Sequence, residues 1–497
     1  MGQRDDWNKK KLIKKYYRIT FELTSPLTVG NGESYVTDRD IVRDSRGVPY
    51  IPGSSLAGIY RSLFSSPTDG LYFGAELTSE KIEESSAGGK NVLTESRIVV
   101  YDAQMEMPSQ TKYGKETAKR DMVALDEYKT AIPGAKFDFE VLEPGVRFVT
   151  YIEQNMDSPD QQYVINEIAH AWMRGRIAVG AKTERGYGHT KGIRAESAMY
   201  ELDNAEQLED WLAFDMYADE WEGGCTAVDC DDSCLGAAEP SSPEYDRIKG
   251  ACLAMKIFLA EEEKRTVRLR LAQRGGISIR QYTTNVDEED YRQLTTRPVS
   301  GEERENGAEG TPVVPGTSWA GAFRAQMGRL DPGFGKGQPS AELFFGKARG
   351  QRQEKSGKSR IGFSESRITG GKWVAYTRNA IDRFTGGTVE GALYSEKTYY
   401  NGETELTITC DFSDRGEGKV EEQDRRHLAR VLSAAVLDLD AGYMAVGGLT
   451  AVGRGMFRVE QIAVDEKLIL DRKAGQSPEP EEVFAELVKA IAGEEER

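Results

Sequence analysis

Apolar and polar residues alternate from Tyr16 to Thr24, with Tyr17, Ile19, Phe21 and Leu23 on one side. A period of two predicts a half-buried strand. Segments 253–259 and 267–271 have a similar pattern, so we expect a strand in each. Segments 137–141 and 147–152 are also apolar and flank Pro144-Gly145. This arrangement predicts a β-hairpin.

Helical spacing appears after the sequence Pro52-Gly-Ser-Ser55, where Leu56, Ile59, Tyr60 and Leu63 lie on one face. Ser54 or Ser55 is placed to cap this helix. Segments 164–172 and 427–437 also predict helices. Strands mixed with helices in this order favour an α+β fold.

The chain contains an internal repeat, which determines its expected architecture. Residues 48–61 align without a gap to residues 311–324 and share seven identical positions. Phe73-Gly74 corresponds to Phe345-Gly346, and segment 124–137 corresponds to 380–394. Residues 179–188 and 446–455 both contain Gly, five residues, Gly, one residue, Gly. Four matches in the same order predict a tandem duplication.

Net charge first argues against a nucleic-acid partner, since the 497-residue chain carries −17. The acidity is local, however. Residues 202–250 contribute −12 and residues 476–497 contribute −5, so the remainder is neutral overall. We therefore predict a first domain over 1–200, an acidic linker over 201–250, a second domain over 251–468 and an acidic tail over 469–497. The neutral remainder leaves enough Lys and Arg for a local phosphate-binding track.

Two repeated features are candidates for binding phosphate. A helix that starts at Pro-Gly-Ser/Thr-Ser presents unpaired backbone N–H groups, and an Arg two turns later adds charge. The Gly-rich loops allow a close backbone approach and carry basic residues. The candidate phosphate contacts, which become RNA contacts if the ligand is a nucleic acid, are Gly53, Ser54, Ser55, Arg61, Lys182, Arg185, Gly186, Gly188, Gly316, Thr317, Ser318, Arg324, Gly447, Gly453, Arg454 and Gly455. The alternatives are an ordinary helix start with a surface Arg, and a tight loop without a ligand.

These motifs resemble the RAMP superfamily, the Cas-seven-like backbone subunits of type III CRISPR effector complexes. The resemblance rests on 41–61, on the loop at 180–188 and on the Ala-Leu-Asp segment at 124–126. It extends over both copies, and a fused pair looks most like the type III-D double subunit. It implies two ferredoxin-like (RRM-related) domains with insertions, each gripping guide RNA.

The resemblance also implies a protruding β-hairpin thumb in each copy, which interrupts pairing between guide and target RNA. Segment 119–123 matches the first thumb and contributes Arg120 and Met122 to the expected RNA contacts. Segment 376–379 is the looser match in the second copy and contributes Arg378. The expected partners are guide CRISPR RNA, complementary target RNA and other subunits of the complex.

Catalytic members of the family carry an Asp in the loop before the Pro-Gly-Ser-Ser helix, and Asp38 matches it. The resemblance implies metal-dependent cleavage of target RNA there, with Mg²⁺ the expected cation. A loop carboxylate suits a hard cation. Asp40 is the near alternative, and Asp287 or Asp290 are candidates in the second copy. An alternative function is a scaffold that binds guide RNA and neighbouring subunits without cleaving.

Four cysteines have the spacing C-x4-C-x3-C-x17-C, at Cys225, Cys230, Cys234 and Cys252. In a reducing compartment this spacing favours a structural zinc site over disulfides. The chain shows no long apolar run and no secretory signal, so we expect a cytoplasmic protein without a membrane partner. The three histidines are scattered, which argues against a guide-processing nuclease that uses histidine.

Overall fold

The residues with a described position in a computed structural model of the chain are 12–30, 40–74, 95–106, 116–125, 131–219, 221, 238–240, 242–260, 263–282, 289–297, 310–334, 344–346, 359–414, 420–476 and 478–494. They form two compact units. The first contains described residues within 1–118, 140–181 and 188–261. The second contains those within 119–139, 182–187 and 262–497, so two short segments of the first copy belong to the second unit.

An antiparallel sheet forms the centre of the first unit, in the order β2-β4-β7-β1-β8, with β3 also paired to β7. The strands of the first copy are β1 Ile13–Leu23, β2 Tyr50–Ile51, β3 Ile98–Val100, β4 Ala103–Met105, β5 Thr117–Leu125, β6 Ala131–Leu142, β7 Arg147–Met156 and β8 Thr190–Glu201. β5 and β6 form a separate two-stranded sheet. The predicted strand at Tyr16–Thr24 is confirmed as β1.

Five helices of the first unit lie within the described residues, and the one at Tyr163–Met173 packs on β1 and β8. They are α1 Gly53–Arg61, α2 Thr68–Phe73, α3 Tyr163–Met173, α4 Ala205–Ala213 and α5 Pro243–Ala254. In the core, the Phe21 and Trp172 rings stack with centroids 4.1 Å apart. The indole N–H of Trp172 donates to the Tyr60 hydroxyl at 3.0 Å, so its polar atom is satisfied. This contact joins α1 and α3 above the sheet.

The second unit repeats this arrangement, with its larger sheet in the order β13-β14-β16-β19-β9-β20-β21 and β15 paired to β19. A second sheet has the order β10-β18-β12-β11, with β17 on β18. Its strands are β9 Lys264–Arg274, β10 Gly276–Ile277, β11 Arg280–Tyr282, β12 Tyr291–Gln293, β13 Thr295–Thr296, β14 Thr311–Val314, β15 Ile361–Phe363, β16 Ser366–Thr369, β17 Lys372–Arg378, β18 Tyr394–Tyr400, β19 Glu403–Asp411, β20 Met456–Val464 and β21 Lys467–Asp471.

Three helices of the second unit lie wholly within the described residues: α6 Gly316–Leu330, α7 Glu422–Ala441 and α8 Pro480–Ala492. Trp319 of α6 is fully buried and donates its indole N–H to Ser366 at 3.1 Å. Leu487 and Ile491 of α8 are buried in the same core. The predicted acidic tail therefore contributes a packed helix, because apolar residues repeat at helical spacing between its glutamates.

Several sequence predictions are wrong in detail. Segment 253–259 is not a strand, since α5 extends to Ala254 and a turn follows. The serines do not cap α1: the helix begins at Gly53 after Pro52, with no side-chain cap, and α6 begins in the same way after Pro315. The predicted hairpin about Gly145 is also wrong. β6 pairs with β5, whereas β7 pairs with β1, β3 and β4.

The described part of the predicted acidic linker packs on the first unit. The Trp211 indole N–H on α4 donates to the Tyr16 hydroxyl at 2.9 Å. The Arg18 guanidinium, which also pairs with Glu196, donates to the Asp219 carbonyl at 3.0 Å. Aromatic residues interleaved with the acids explain this packing, because they bury area on the outer face of β1.

Within the described residues, no helix combines the length and apolar character needed to cross a membrane.

Candidate nucleic-acid interface

The first repeated helix start already has an acidic partner. The backbone N–H of Gly53 donates to the Asp102 carboxylate at 2.7 Å. A β-carbon at Gly53 would lie 2.4 Å from the Val100 carbonyl oxygen, so only glycine fits. The carboxylate takes one of the N–H groups expected to bind phosphate and places negative charge at the positive end of α1.

The second helix start has a different neighbour. A β-carbon at Gly316 would lie 2.2 Å from the Phe363 carbonyl oxygen and 2.3 Å from that of Arg185. Thr317 and Ser318 occupy the first turn of α6, as Ser54 and Ser55 do in α1. The Gly-rich loop of the first copy therefore lies against the start of α6 within the second unit.

Two positive charges lie close enough to interact: that of Arg185, whose carbonyl lies beside the helix start, and that of Arg324, two turns into α6. Burial lowers the pKa of the Arg185 guanidinium, and the nearby positive charge of Arg324 lowers that pKa further. Arg185 donates to the Ile361 carbonyl at 3.4 Å, and Arg324 is exposed with no ion pair among the described residues. Two cations held together repel each other unless an anion binds between or beside them. The first-copy counterpart, Arg61, instead lies 3.5 Å from the Asp69 carboxylate.

The Gly-rich loops share one backbone geometry in both copies. Lys182 and Leu449 are both left-handed, at φ 63° and φ 56°. A β-carbon at Gly188 or at Gly455 would lie 1.8 Å from a carbonyl oxygen of its own loop. These glycines are therefore required by the loop itself. Gly447 is similarly close to the Ser278 carbonyl, at 2.8 Å.

Lys182 joins the first loop to the first hairpin. Its ammonium lies 4.7 Å from the Phe137 ring centroid and 4.6 Å from that of Phe139, and 3.5 Å from the Met122 sulfur. Cation–π contacts of this kind hold the ammonium beside the hairpin. Arg378 is similarly placed on the second hairpin, 5.3 Å from the Tyr376 ring, and is partly exposed.

Two of the candidate cations are buried in ion pairs. Arg454 is 3% exposed, and its guanidinium contacts both carboxylate oxygens of Glu396, at 3.1 and 3.2 Å. Arg120 is 2% exposed and lies 3.7 Å from the Glu365 carboxylate. Both side chains are therefore occupied by carboxylates within the second unit and do not face solvent.

Comparison with known protein families also finds a repeat, because one family model matches the chain twice. The family model of the RAMP superfamily matches residues 20–191 and 300–458, together more than half of the chain. The chain belongs to the RAMP superfamily. Its two RAMP regions coincide with the two copies, and membership indicates a role in CRISPR-associated RNA-binding complexes. No curated protein matches the chain.

Two of the catalytic candidates, Asp38 and Asp287, lie outside the described residues. Asp40 is described and partly buried. The Asp290 carboxylate accepts hydrogen bonds from the Ser395 backbone N–H at 2.7 Å and from its hydroxyl at 3.1 Å. The backbone bond, with the hydroxyl, lowers the pKa of Asp290, so its carboxylate is ionised at neutral pH.

Of the proposed zinc ligands, Cys225, Cys230 and Cys234 lie outside the described residues. Cys252 lies in α5, where burial raises the pKa of its thiol to about 12. A metal ligand must be a thiolate, which burial disfavours unless the metal compensates. Among the described residues, no three His, Cys, Asp or Glu side chains are grouped to hold a metal.

Sequence reasoning missed Asp102 and Glu365. Asp102 lies two residues after Val100, whose carbonyl lies against Gly53. Glu365 lies two residues after Phe363, whose carbonyl lies against Gly316. The sequence does carry a signal for them: an identical Ser-Arg-Ile, at 96–98 and at 359–361, precedes the acidic residue at the same spacing in both copies.

Proposed function

We propose that this chain is a guide-RNA-binding backbone subunit of a type III CRISPR effector complex, most similar to the type III-D double subunit and acting in the cytoplasm. Each RAMP copy would have a ferredoxin-like core, with the hairpins β5–β6 and β17–β18 as thumbs. Strand order supports this core: β8-β1-β7-β4 and β20-β9-β19-β16 follow the same path through the two copies.

The observation that carries the proposal is a pair of interacting positive charges, Arg185 in the loop that lies against the start of α6 and Arg324 on α6 itself. Two guanidinium groups near the N-terminus of a helix favour a phosphate anion. Phosphate contacts supply affinity without reading sequence, as a guide-binding backbone requires. Arg454 and Arg120 are not part of this proposed contact, because their guanidinium groups are buried against carboxylates.

Salt-dependent guide binding tests this proposal. The double variant R185A/R324A should weaken binding of a single-stranded guide, and the slope of log affinity against log salt should become shallower by about 1.4. The matched control is R268A/R458A, which removes two exposed arginines of the second unit at β9 and β20. Equal losses in both variants would show general charge attraction and contradict a specific site. Thermal unfolding of each variant checks that the fold is intact.

We also propose that Asp38 holds a divalent cation, Mg²⁺ by chemistry, for cleavage of target RNA. In the assembled complex, Asp38→Ala should abolish one set of cuts and leave guide binding unchanged. Asp40→Ala, Asp287→Ala and Asp290→Ala test the alternatives, and the spacing of the remaining cuts counts the active copies. If cutting persists at every position in Asp38→Ala, Asp38 is not the catalytic residue. If all four variants cut as the wild type does, the scaffold function is favoured.

The zinc site remains a proposal of its own. Metal analysis of the purified chain should find one zinc per chain, bound by the four cysteines. A chain without zinc would remove this proposal and leave the RNA-binding proposal untouched.

A further inference from the structure

A segment of the same chain covers the outer face of the sheet in the first unit. Residues 205–219 and 221, which we call the covering segment, pack on β1 and β8. Arg18 of β1 lies under this segment and is 7% exposed. Its guanidinium donates to the Asp219 carbonyl at 3.0 Å, lies 5.3 Å from the Trp221 ring and pairs with Glu196 of β8. A main-chain oxygen, an aromatic ring and a carboxylate thus surround this arginine.

The second copy has an arginine at the same position. β8 and β20 leave the two Gly-rich loops in the same register, because the residue two positions after the last loop glycine lies opposite Leu23 of β1 or Gln273 of β9. The counterpart of Arg18 is therefore Arg268. Arg268 is exposed, and among the described residues its side chain has no hydrogen bond or ion pair. An arginine that the first copy buries is thus left facing solvent in the second.

The surroundings of Arg268 differ from those of Arg18 in two ways. Ala463 lies opposite Arg268 where Glu196 lies opposite Arg18, so the carboxylate on the neighbouring strand is missing. The helix that follows the second copy, α8, packs on α7 and in the core, on the other side of the sheet. Within the described residues, the C-terminal part of the chain therefore leaves the outer face of β9 open.

Other cations lie on the same face of the larger sheet in the second unit. Arg270 and Arg458 are exposed on it, with 60% and 51% of their side chains accessible. We call the surface formed by Arg268, Arg270 and Arg458 the arginine face. A cavity of about 260 Å³ adjoins it and is lined in part by Arg270, Arg367, Glu403, Glu405 and Glu460. Glutamates among the arginines repel a continuous phosphate backbone, whereas a protein segment can place complementary groups opposite both signs of charge.

The covering segment shows which chemistry such a surface accepts. Residues 204–219 contain five acidic residues and no Lys or Arg, with Trp211, Phe214 and Tyr217 between the acids. The positive charge of the arginine face complements a segment of this kind. The covering segment itself already lies on the first copy. The arginine face therefore suits a segment of similar chemistry from another protein.

We infer that the arginine face binds an acidic segment with aromatic residues that belongs to a partner protein. The contact repeats that of Arg18: main-chain carbonyls accept hydrogen bonds from the Arg268 guanidinium, and an aromatic ring lies over it. A carboxylate of the partner pairs with Arg268 in place of the glutamate that the second copy lacks. The inference goes beyond RNA binding and does not depend on it.

Fluorescence anisotropy of a labelled peptide with the sequence of residues 204–221 tests the inference on the full-length chain. R268A/R458A should bind this peptide at least about tenfold more weakly than the wild type, because the variant lacks charge-assisted hydrogen bonds. The matched control R426A/R430A removes two exposed arginines of α7 and should bind like the wild type. A peptide of the same composition in shuffled order should bind more weakly than the natural order. Guide binding by R268A/R458A should be unchanged.

Three results would overturn the inference. The first is that the wild type does not bind the peptide, which includes the case in which another segment of this chain covers the face. The second is equal binding by the wild type and R268A/R458A, or equal binding of the shuffled peptide, since neither requires a specific contact with Arg268. The third is a loss of guide binding in R268A/R458A with peptide binding unchanged, which would assign the face to RNA. Thermal unfolding confirms that each variant is folded. The R185A/R324A variant is measured with guide RNA alone, so a failed RNA proposal and a failed docking proposal give different results.

Discussion

Replacing Gly186 by alanine should destabilise the second unit far more than the same change at Gly453. Both residues have φ 80°, so both variants pay the cost of a left-handed alanine, about 1–2 kcal/mol. Only at Gly186 would the new methyl lie 2.3 Å from a backbone nitrogen. Forcing the loop away from segment 363–365 adds about 1–3 kcal/mol, the usual cost of overpacking. We expect losses of about 2–5 kcal/mol for Gly186→Ala and about 1–2 kcal/mol for Gly453→Ala.

Urea-induced unfolding measures both losses, and hydrogen exchange locates them. In Gly186→Ala, amides of 316–319 and 361–366 should exchange faster, because the loop no longer covers them. In Gly453→Ala, these amides should exchange as in the wild type. Equal losses of stability in the two variants would refute the reasoning, since backbone strain alone would then explain both.

Three further predictions follow from buried ionisable groups. Arg454→Ala should cost about 3–5 kcal/mol of unfolding free energy, because it leaves the Glu396 carboxylate buried and unpaired, whereas R454M/E396L should cost less in the same urea assay. Burial lowers the pKa of Lys15 to about 8, below its unfolded value. The unfolded chain therefore binds more protons above pH 8, and stability should gain on the order of 2 kcal/mol from pH 8 to 10, a gain that Lys15→Met should remove. Burial raises the thiol pKa of Cys252 and of Cys410 to about 12, so iodoacetamide at pH 8 should leave both unmodified in the native chain, as mass spectrometry would show.

Local patterns predicted much of the fold. The alternation of Tyr17, Ile19 and Phe21 is present because these side chains face the core. Tyr16 and Arg18, on the other face of β1, are buried as well, by the residues that follow the first copy. The helix at 422–441 was predictable for the same reason, whereas the helix at 163–173 is buried on all sides and is marked in the sequence by its apolar content. Pairing partners were not: the turn signal at Gly145 is local, whereas β7, the strand that follows it, pairs with β1 from far upstream.

The candidate site was less predictable, because exposure depends on partners distant in sequence. Arg454 looks like a surface cation beside glycines, but Glu396, 58 residues away, buries it in an ion pair. Arg120 and Glu365 are still farther apart in the chain. No local pattern encodes such a pair, and the approach of Arg324 to Arg185 is equally invisible in the sequence.

The repeat therefore has to be interpreted differently for matched and for unmatched positions. Gly188 and Gly455 are both glycine because a β-carbon at either position would lie 1.8 Å from a carbonyl oxygen of its own loop. This requirement exists with or without RNA. The fold therefore explains why these two positions carry the same residue in both copies. Arg185 and Val452 occupy the same place on the same backbone but differ in charge and in contact. Because the fold does not require that difference, the difference is where binding to RNA or to another chain should be sought.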